Sequence, residues 1–208
     1  MSRSPLHRLT LATVLATLIL GVALLGGLRG RHVAPGAPGP TLATVYPAPR
    51  PLPEFGLVAQ DGSRFDRTRL QGHWTLLFLG FTQCADVCPA TLATLAAARR
   101  ALPAARRPAV VMVSVDPAHD TPAALAAYLG HFDPSFVGVS GAEAALRPLA
   151  SALGAYYAPA DDATPATHSG ATYLIDPAAR IAAVYTTLPA PLALAADYRR
   201  LTRAGGGA

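Results

Sequence analysis

Apolar positions fall into three regimes along the chain. Residues 9–28 run for 20 positions without a charge, LTLATVLATLILGVALLGGL, long enough for a helix to cross a bilayer core. Residues 29–53 carry seven prolines (35, 38, 40, 47, 49, 51 and 53) with Gly and Ala between them, which predicts an extended, semi-rigid spacer with little to pack. From residue 54 to about 204, short apolar runs alternate with Ala/Leu-rich segments of helical period, the pattern of one folded domain. Residues 205–207 are a glycine run that reads as a frayed tail.

The domain resolves into elements. Residues 55–65 read as a β-hairpin turning at Asp61-Gly62. A strand at 74–79 leads through a short loop to a helix at 89–101, with Pro89 in its first turn. The Val-rich run 109–115 suits a central parallel strand buried on both faces. Thr121 and Pro122 supply the cap and first position of a helix to about 129. A short strand at 136–139 precedes Ser140-x-x-Glu143, a capping box for a helix that Gly154 closes. Residues 154–169 read as an irregular loop, 172–175 and 181–185 as a hairpin turned at Asp176-Pro177, and 191–202 as a last helix. Strands alternating with helices, then a closing hairpin and helix, predict an α/β sandwich of the thioredoxin-like type.

Charge changes the picture mainly at the N-terminus. All 17 basic residues are Arg, and four of them (Arg3, Arg8, Arg29 and Arg31) flank the first apolar run. From Val33 onward 13 Arg face 12 Asp plus Glu, a balance of +1 that leaves no basic field for nucleic acid. The apolar run is long for a signal peptide and lacks a small-x-small cleavage site at its end, so an uncleaved anchor is expected. Two Arg on each side leave the positive-inside rule undecided. The short tail at 1–8 favours N-inside topology with the large domain exported.

Chemistry concentrates in Gly80-Phe81-Thr82-Gln83-Cys84-Ala85-Asp86-Val87-Cys88-Pro89, which holds both cysteines of the chain with three residues between them. They fall where a strand ends and a helix begins, and unpaired helix N–H groups there favour thiolate over thiol. At i and i+4 both sulfurs can face one object. Such a pair can form a disulfide if its geometry permits, bind a soft metal, or simply pack. Two thiolates fall short of the four ligands zinc usually takes; they suit Cu(I), with a histidine as the expected third ligand. Asp86 reads as a helix-start residue, and Asp116 and Asp120 as ordinary loop and capping residues.

The order of motifs resembles the Sco/SenC family of membrane-anchored, thioredoxin-fold copper proteins. The matching residues are Phe55 to Phe65 around Asp61-Gly62, the cysteine motif with its Asp86-Val87-Cys88-Pro89 ending, and Ser114-Val115-Asp116-Pro117 with Asp120-Thr121-Pro122. Gly138-Val139-Ser140-Gly141, Tyr156-Tyr157 with Pro159, and His168-Ser169 before Tyr173-Leu174-Ile175-Asp176-Pro177 complete them. Two positions depart from the family's habit. Ala85 stands where proline commonly follows the first cysteine, and Thr167 stands where aspartate commonly precedes the histidine. The second change removes a carboxylate that would orient the imidazole.

The resemblance implies that Cys84, Cys88 and His168 bind one copper ion, Cu(I) and also Cu(II). It implies a metallochaperone that delivers copper to the CuA centre of cytochrome c oxidase subunit II. A copper donor and a thiol reductant would be its other partners. It would sit in the bacterial cytoplasmic membrane by a single N-terminal helix, with its domain on the periplasmic side. Two alternatives stay open. One is a thiol-disulfide oxidoreductase in which Cys84 attacks and Cys88 resolves; the other is a copper or redox sensor. The remaining histidines flank the anchor (His7, His32) or fall at a turn, a loop and a helix end (His73, His119, His131).

Overall fold

A computed structural model describes residues 41–158, 160, 164 and 166–204. The expected anchor at 9–28, the tail at 1–8, the first part of the spacer at 29–40 and the glycine run at 205–207 lie outside the described residues. Among the described residues no helix is long and apolar enough to cross a membrane.

The strands are β1 (Thr44–Pro51), β2 (Leu57–Ala59), β3 (Arg64–Phe65), β4 (Thr75–Gly80), β5 (Ala109–Ser114) and β6 (Val137–Ser140). They continue with β7 (Tyr157–Ala158), β8 (Thr167–His168), β9 (Thr172–Ile175) and β10 (Arg180–Tyr185). The helices are α1 (Val87–Arg100), α2 (Pro122–Gly130), α3 (Glu143–Leu153) and α4 (Pro191–Ala204). Eight strands form one sheet in the order β1-β10-β9-β4-β5-β6-β2-β3. β4, β5 and β6 are parallel, and β9 joins β4 antiparallel.

Every residue of β4 is buried, and alternate side chains feed two cores. Leu77 and Leu79 join Val111, Val113 and the α3 residues Leu146, Leu149 and Leu153 on one face. Leu76 and Phe78 join Val110 and Met112 with Leu92 and Leu95 of α1, Leu125 of α2 and Leu194 of α4 on the other. Helices therefore cover both faces, as the order of elements predicted for a thioredoxin-like sandwich. Gly154 closes α3 in the left-handed conformation at φ 69°, and the Thr121 hydroxyl accepts from the Ala124 N–H at 3.2 Å, both as expected.

Three stretches differ from the sequence expectation. Residues 44–51 of the expected spacer form the edge strand β1, paired antiparallel to β10. Proline is tolerated there because the register breaks between Val45 and Arg50, so Pro47 and Pro49 sit in a bulge and need supply no ladder N–H. Tyr46 packs on the core, with the Arg50 guanidinium over its ring at 5.2 Å. The capping box at Ser140 does not form. Ser140 stays in β6, paired with Val58, and α3 starts only at Glu143, whose carboxylate instead pairs with Arg147 one turn on. Sheet register outweighs the local capping preference. Finally, the expected loop at 154–169 contains a two-stranded ribbon, β7 against β8, with Tyr157 opposite His168.

Close packing between β6 and α2 depends on Gly138. A Cβ there would lie 2.7 Å from Leu129 Cδ1 and 3.0 Å from Leu125 Cβ, both in the buried core. Gly138→Ala is expected to destabilise the domain by about 1–3 kcal/mol, as overpacking does, read as a lower urea midpoint with an unchanged slope. An unchanged midpoint would contradict the packing described.

Candidate metal centre

The site is built where β4 ends. Gly80 is its last residue, and a Cβ there would meet Cys88 Sγ at 3.2 Å and Met112 Cγ at 3.2 Å. Glycine lets the helix carry Cys88 tight against the strand end. The chain then turns through Phe81 to Asp86 and enters α1 at Val87. Cys88 lies in the first helical turn and is fully buried, whereas Cys84 in the loop is half-buried. Both cysteines are free thiols.

His168 comes from far along the chain. Its position is fixed by the β7–β8 ribbon, by the Ser169 N–H donating to the Tyr156 carbonyl at 2.9 Å, and by an edge-on contact with the Phe81 ring at 5.8 Å. His168 Nδ1 lies 3.0 Å from the Ser169 carbonyl oxygen. A carbonyl can only accept, so a hydrogen bond there puts a proton on Nδ1, and in the neutral ring that tautomer leaves the Nε2 lone pair free for a metal. Nε2 points to Cys88 Sγ at 3.4 Å. The backbone thus supplies the orienting contact that the absent aspartate would have given. Thr167 in that position is exposed, on the opposite side of β8 from His168.

One ligand atom from each of Cys84, Cys88 and His168 falls in a cluster whose members all lie within 4.8 Å of one another. The three residues that the sequence singled out are thus brought together. Two sulfurs and an imidazole nitrogen converging at that range are a donor set that suits a soft, low-coordinate ion such as Cu(I). A cleft of about 220 Å³ opens onto Cys84 and His168, walled by Phe81, Val87, Ala166 and Gly170, with Cys88 buried behind it.

The two sulfurs differ electrostatically. Partial burial works against the Cys84 thiolate, but the N–H groups of Cys88, Asp86 and Val87 outweigh it and hold this thiol below its usual range. The Cys88 N–H donates to Cys84 Sγ at 3.4 Å. Burial pushes the Cys88 thiol up to about 12, with the neighbouring Cys84 and Asp120 adding to the rise. Asp86 is the residue before α1 and makes no side-chain capping bond, so its part in the site is limited to its backbone N–H.

Asp120, read from sequence as a loop residue, proves to be a buried clamp on the cysteine loop. It is 1 % exposed. Its carboxylate accepts from the Thr82 N–H at 3.1 Å, from the Thr82 hydroxyl, and from the Ser114 hydroxyl at 2.6 Å. Ser114 also accepts from the Asp116 N–H at 3.1 Å, and Asp116 in turn contacts His119 Nδ1 at 2.9 Å. The loops after β4 and β5 are thereby tied together. Burial, followed by the charges of Cys88, Cys84 and Asp120, pushes the Tyr128 phenol up, which puts this residue of α2 within electrostatic reach of the site. Its hydroxyl is buried without a hydrogen-bond partner among the described residues. Neither residue was legible as part of the site. Asp-Thr-Pro is common capping chemistry, and a tyrosine at a helical position usually packs.

A family model described as SCO1/SenC matches residues 46–203. The SCO2-like protein of Rickettsia conorii is 36% identical over 129 residues, which make up 59% of this chain and 63% of that protein. This chain therefore spans less than two thirds of the length of that relative. ScoI of Bradyrhizobium japonicum, solved with copper bound, is 32% identical with a TM-score of 0.64 over 73% of this chain and 99% of that one. ScoI of Arabidopsis thaliana, also solved with copper bound, is 28% identical with a TM-score of 0.66 over 73% of this chain and 98% of that one. With a match that runs from the edge strand to the last helix, this chain belongs to the SCO1/SenC family.

Proposed function

We propose that this chain is a copper metallochaperone: it holds one copper ion between Cys84, Cys88 and His168 and delivers it to the CuA centre of cytochrome c oxidase subunit II. The observation that carries this reading is the convergence of two thiols and a correctly polarised imidazole within 4.8 Å. The copper-bound Bradyrhizobium and Arabidopsis relatives support the choice of metal. The apolar run at 9–28 would anchor the chain in the bacterial cytoplasmic membrane with the domain outside the cytoplasm, on the side where a CuA domain is exposed.

Copper is cargo in this scheme, and the half-open site fits that role. Cys84 at the rim can be exchanged first for an acceptor thiolate, while buried Cys88 and His168 keep hold until a second acceptor ligand arrives. Cu(I) stays Cu(I), so no electron moves in the transfer itself. The acceptor cysteines must be reduced beforehand, which requires a thiol reductant, and a donor must load the site. The test is anaerobic mixing of Cu(I)-loaded full-length chain with reduced, metal-free CuA domain. Copper is expected to move to the acceptor. Cu(I) affinity in His168→Ala, measured by chelator competition, should fall at least about tenfold. Unchanged copper binding after Cys84→Ser and Cys88→Ser would end this reading.

The inequality of the two thiols favours a second reading, a thiol-disulfide oxidoreductase in which Cys84 attacks and Cys88 resolves. Cys84 combines access with thiolate stabilisation, and Cys88 has neither. Under limiting iodoacetamide at neutral pH, Cys84 should be carboxymethylated well before Cys88, as mapped by peptide mass spectrometry. Equal labelling, or Cys88 first, would contradict the electrostatics described. Disulfide-reductase turnover that survives His168→Ala while copper binding is lost would make the enzyme reading the better one.

A further inference from the structure

A second concave site lies at the other end of β4 from the cysteines. His73, two residues before β4, lines a cleft of about 410 Å³ with Arg106 and Arg107 from the turn before β5 and Arg199 and Arg203 from α4. No Asp or Glu lines it. That composition stands out in a domain whose charges otherwise balance, 13 Arg against 12 acids from Val33 onward. Elsewhere, Arg64, Arg67, Arg99, Arg147 and Arg180 each pair with a carboxylate, and Arg50, Arg69 and Arg100, which do not among the described residues, are scattered singly outside this cleft. The side chains of Arg106, Arg199 and Arg203 have no hydrogen bond or ion pair among the described residues, and the Arg107 side chain donates only to the Leu102 carbonyl at 3.2 Å.

Folding alone gives little reason for this grouping. Arg199 and Arg203 stand four apart on one helix face, where like charges repel. The negative end of α4 favours Arg203 in the last turn, but it does not account for Arg106 and Arg107, which arrive from another element. Trp74 and Tyr198 give the cleft an aromatic wall, and Thr202 adds a hydroxyl.

We infer that this cleft binds a phosphate ester. Guanidinium forks match phosphate oxygens in pairs, and several converging cations answer a multiply charged anion. The volume exceeds what a bare phosphate fills, leaving the aromatic wall to the organic part of the ligand. A phospholipid head group and a soluble phosphate ester share this chemistry. The site is separate from the metal centre, about 20 Å away along the six residues of β4. It neither requires nor supports copper binding.

The test uses full-length chain in neutral maltoside detergent at low salt. It is titrated calorimetrically with glycerol 3-phosphate, with dihexanoyl phosphatidylglycerol below its micellar concentration, and with dihexanoyl phosphatidylcholine. Wild type should bind at least one of the two anionic probes at one per chain. Arg106→Gln with Arg203→Gln should weaken that binding at least about tenfold, whereas Arg64→Gln with Arg147→Gln, which removes the same charge elsewhere, should not. Tighter binding of glycerol 3-phosphate assigns the site to a soluble ester, and tighter binding of phosphatidylglycerol assigns it to a lipid. Near-UV dichroism checks the fold, and Arg106→Gln alone, on an exposed turn, serves if the double variant misfolds. The inference is overturned if neither anionic probe binds, if the cleft variant binds as wild type does, if the distant variant loses as much, or if phosphatidylcholine binds as tightly as phosphatidylglycerol.

Discussion

The buried carboxylate of Asp120 holds the candidate metal site in place. A charge with 1 % exposure is costly unless its oxygens are satisfied, and here the Thr82 N–H, the Thr82 hydroxyl and the Ser114 hydroxyl satisfy them. Those donors come from the loop after β4 and from Ser114, the last residue of β5, while Asp120 itself lies in the loop that follows β5. The clamp therefore fixes the path of the chain from Gly80 to Cys84, and with it where the first sulfur stands against the start of α1. The same carboxylate adds negative charge beside Cys88, which helps keep that buried sulfur a thiol and leaves thiolate character to Cys84.

Much of this was legible in the sequence because local pattern and global fold agree over the core. The all-apolar run that became β4, the Val-rich run that became β5, and the Thr121-Pro122 helix start each have one sensible reading. Where the reading went astray, a distant partner decided the outcome. Thr44–Pro51 looks like a spacer until β10 offers a ladder and the bulge disposes of two prolines. Ser140 looks like a helix cap until Val58 claims it for the sheet. His168 looked like a loop residue because a ribbon of two-residue strands leaves no periodic signal.

The site shows the same division. Both cysteines and their i, i+4 relation could be read directly, and His168 followed from resemblance to a family. What fixes the imidazole could not be read, because a main-chain carbonyl, that of Ser169, has no side-chain signature. The loss of an aspartate at Thr167 suggested a weakened ligand. The structure sets Nδ1 against a backbone carbonyl, which can only accept, and turns Nε2 toward Cys88 Sγ. Asp120 escaped notice for the opposite reason: its sequence context is so ordinary that only tertiary contact reveals its use. The cluster of unpaired arginines at the far end of β4 was likewise hidden by a near-neutral total charge, since counting residues cannot say which of them share a cleft.

The central claim is that one copper ion is held by Cys84, Cys88 and His168 together. X-ray absorption at the copper edge, on full-length chain loaded anaerobically with one equivalent of Cu(I), tests it most directly. The account predicts a three-coordinate ion with two sulfur scatterers and one imidazole nitrogen, whose outer-shell imidazole signature disappears in His168→Ala. A spectrum of sulfur alone in wild type, or an imidazole signature that survives the His168 change, would contradict it.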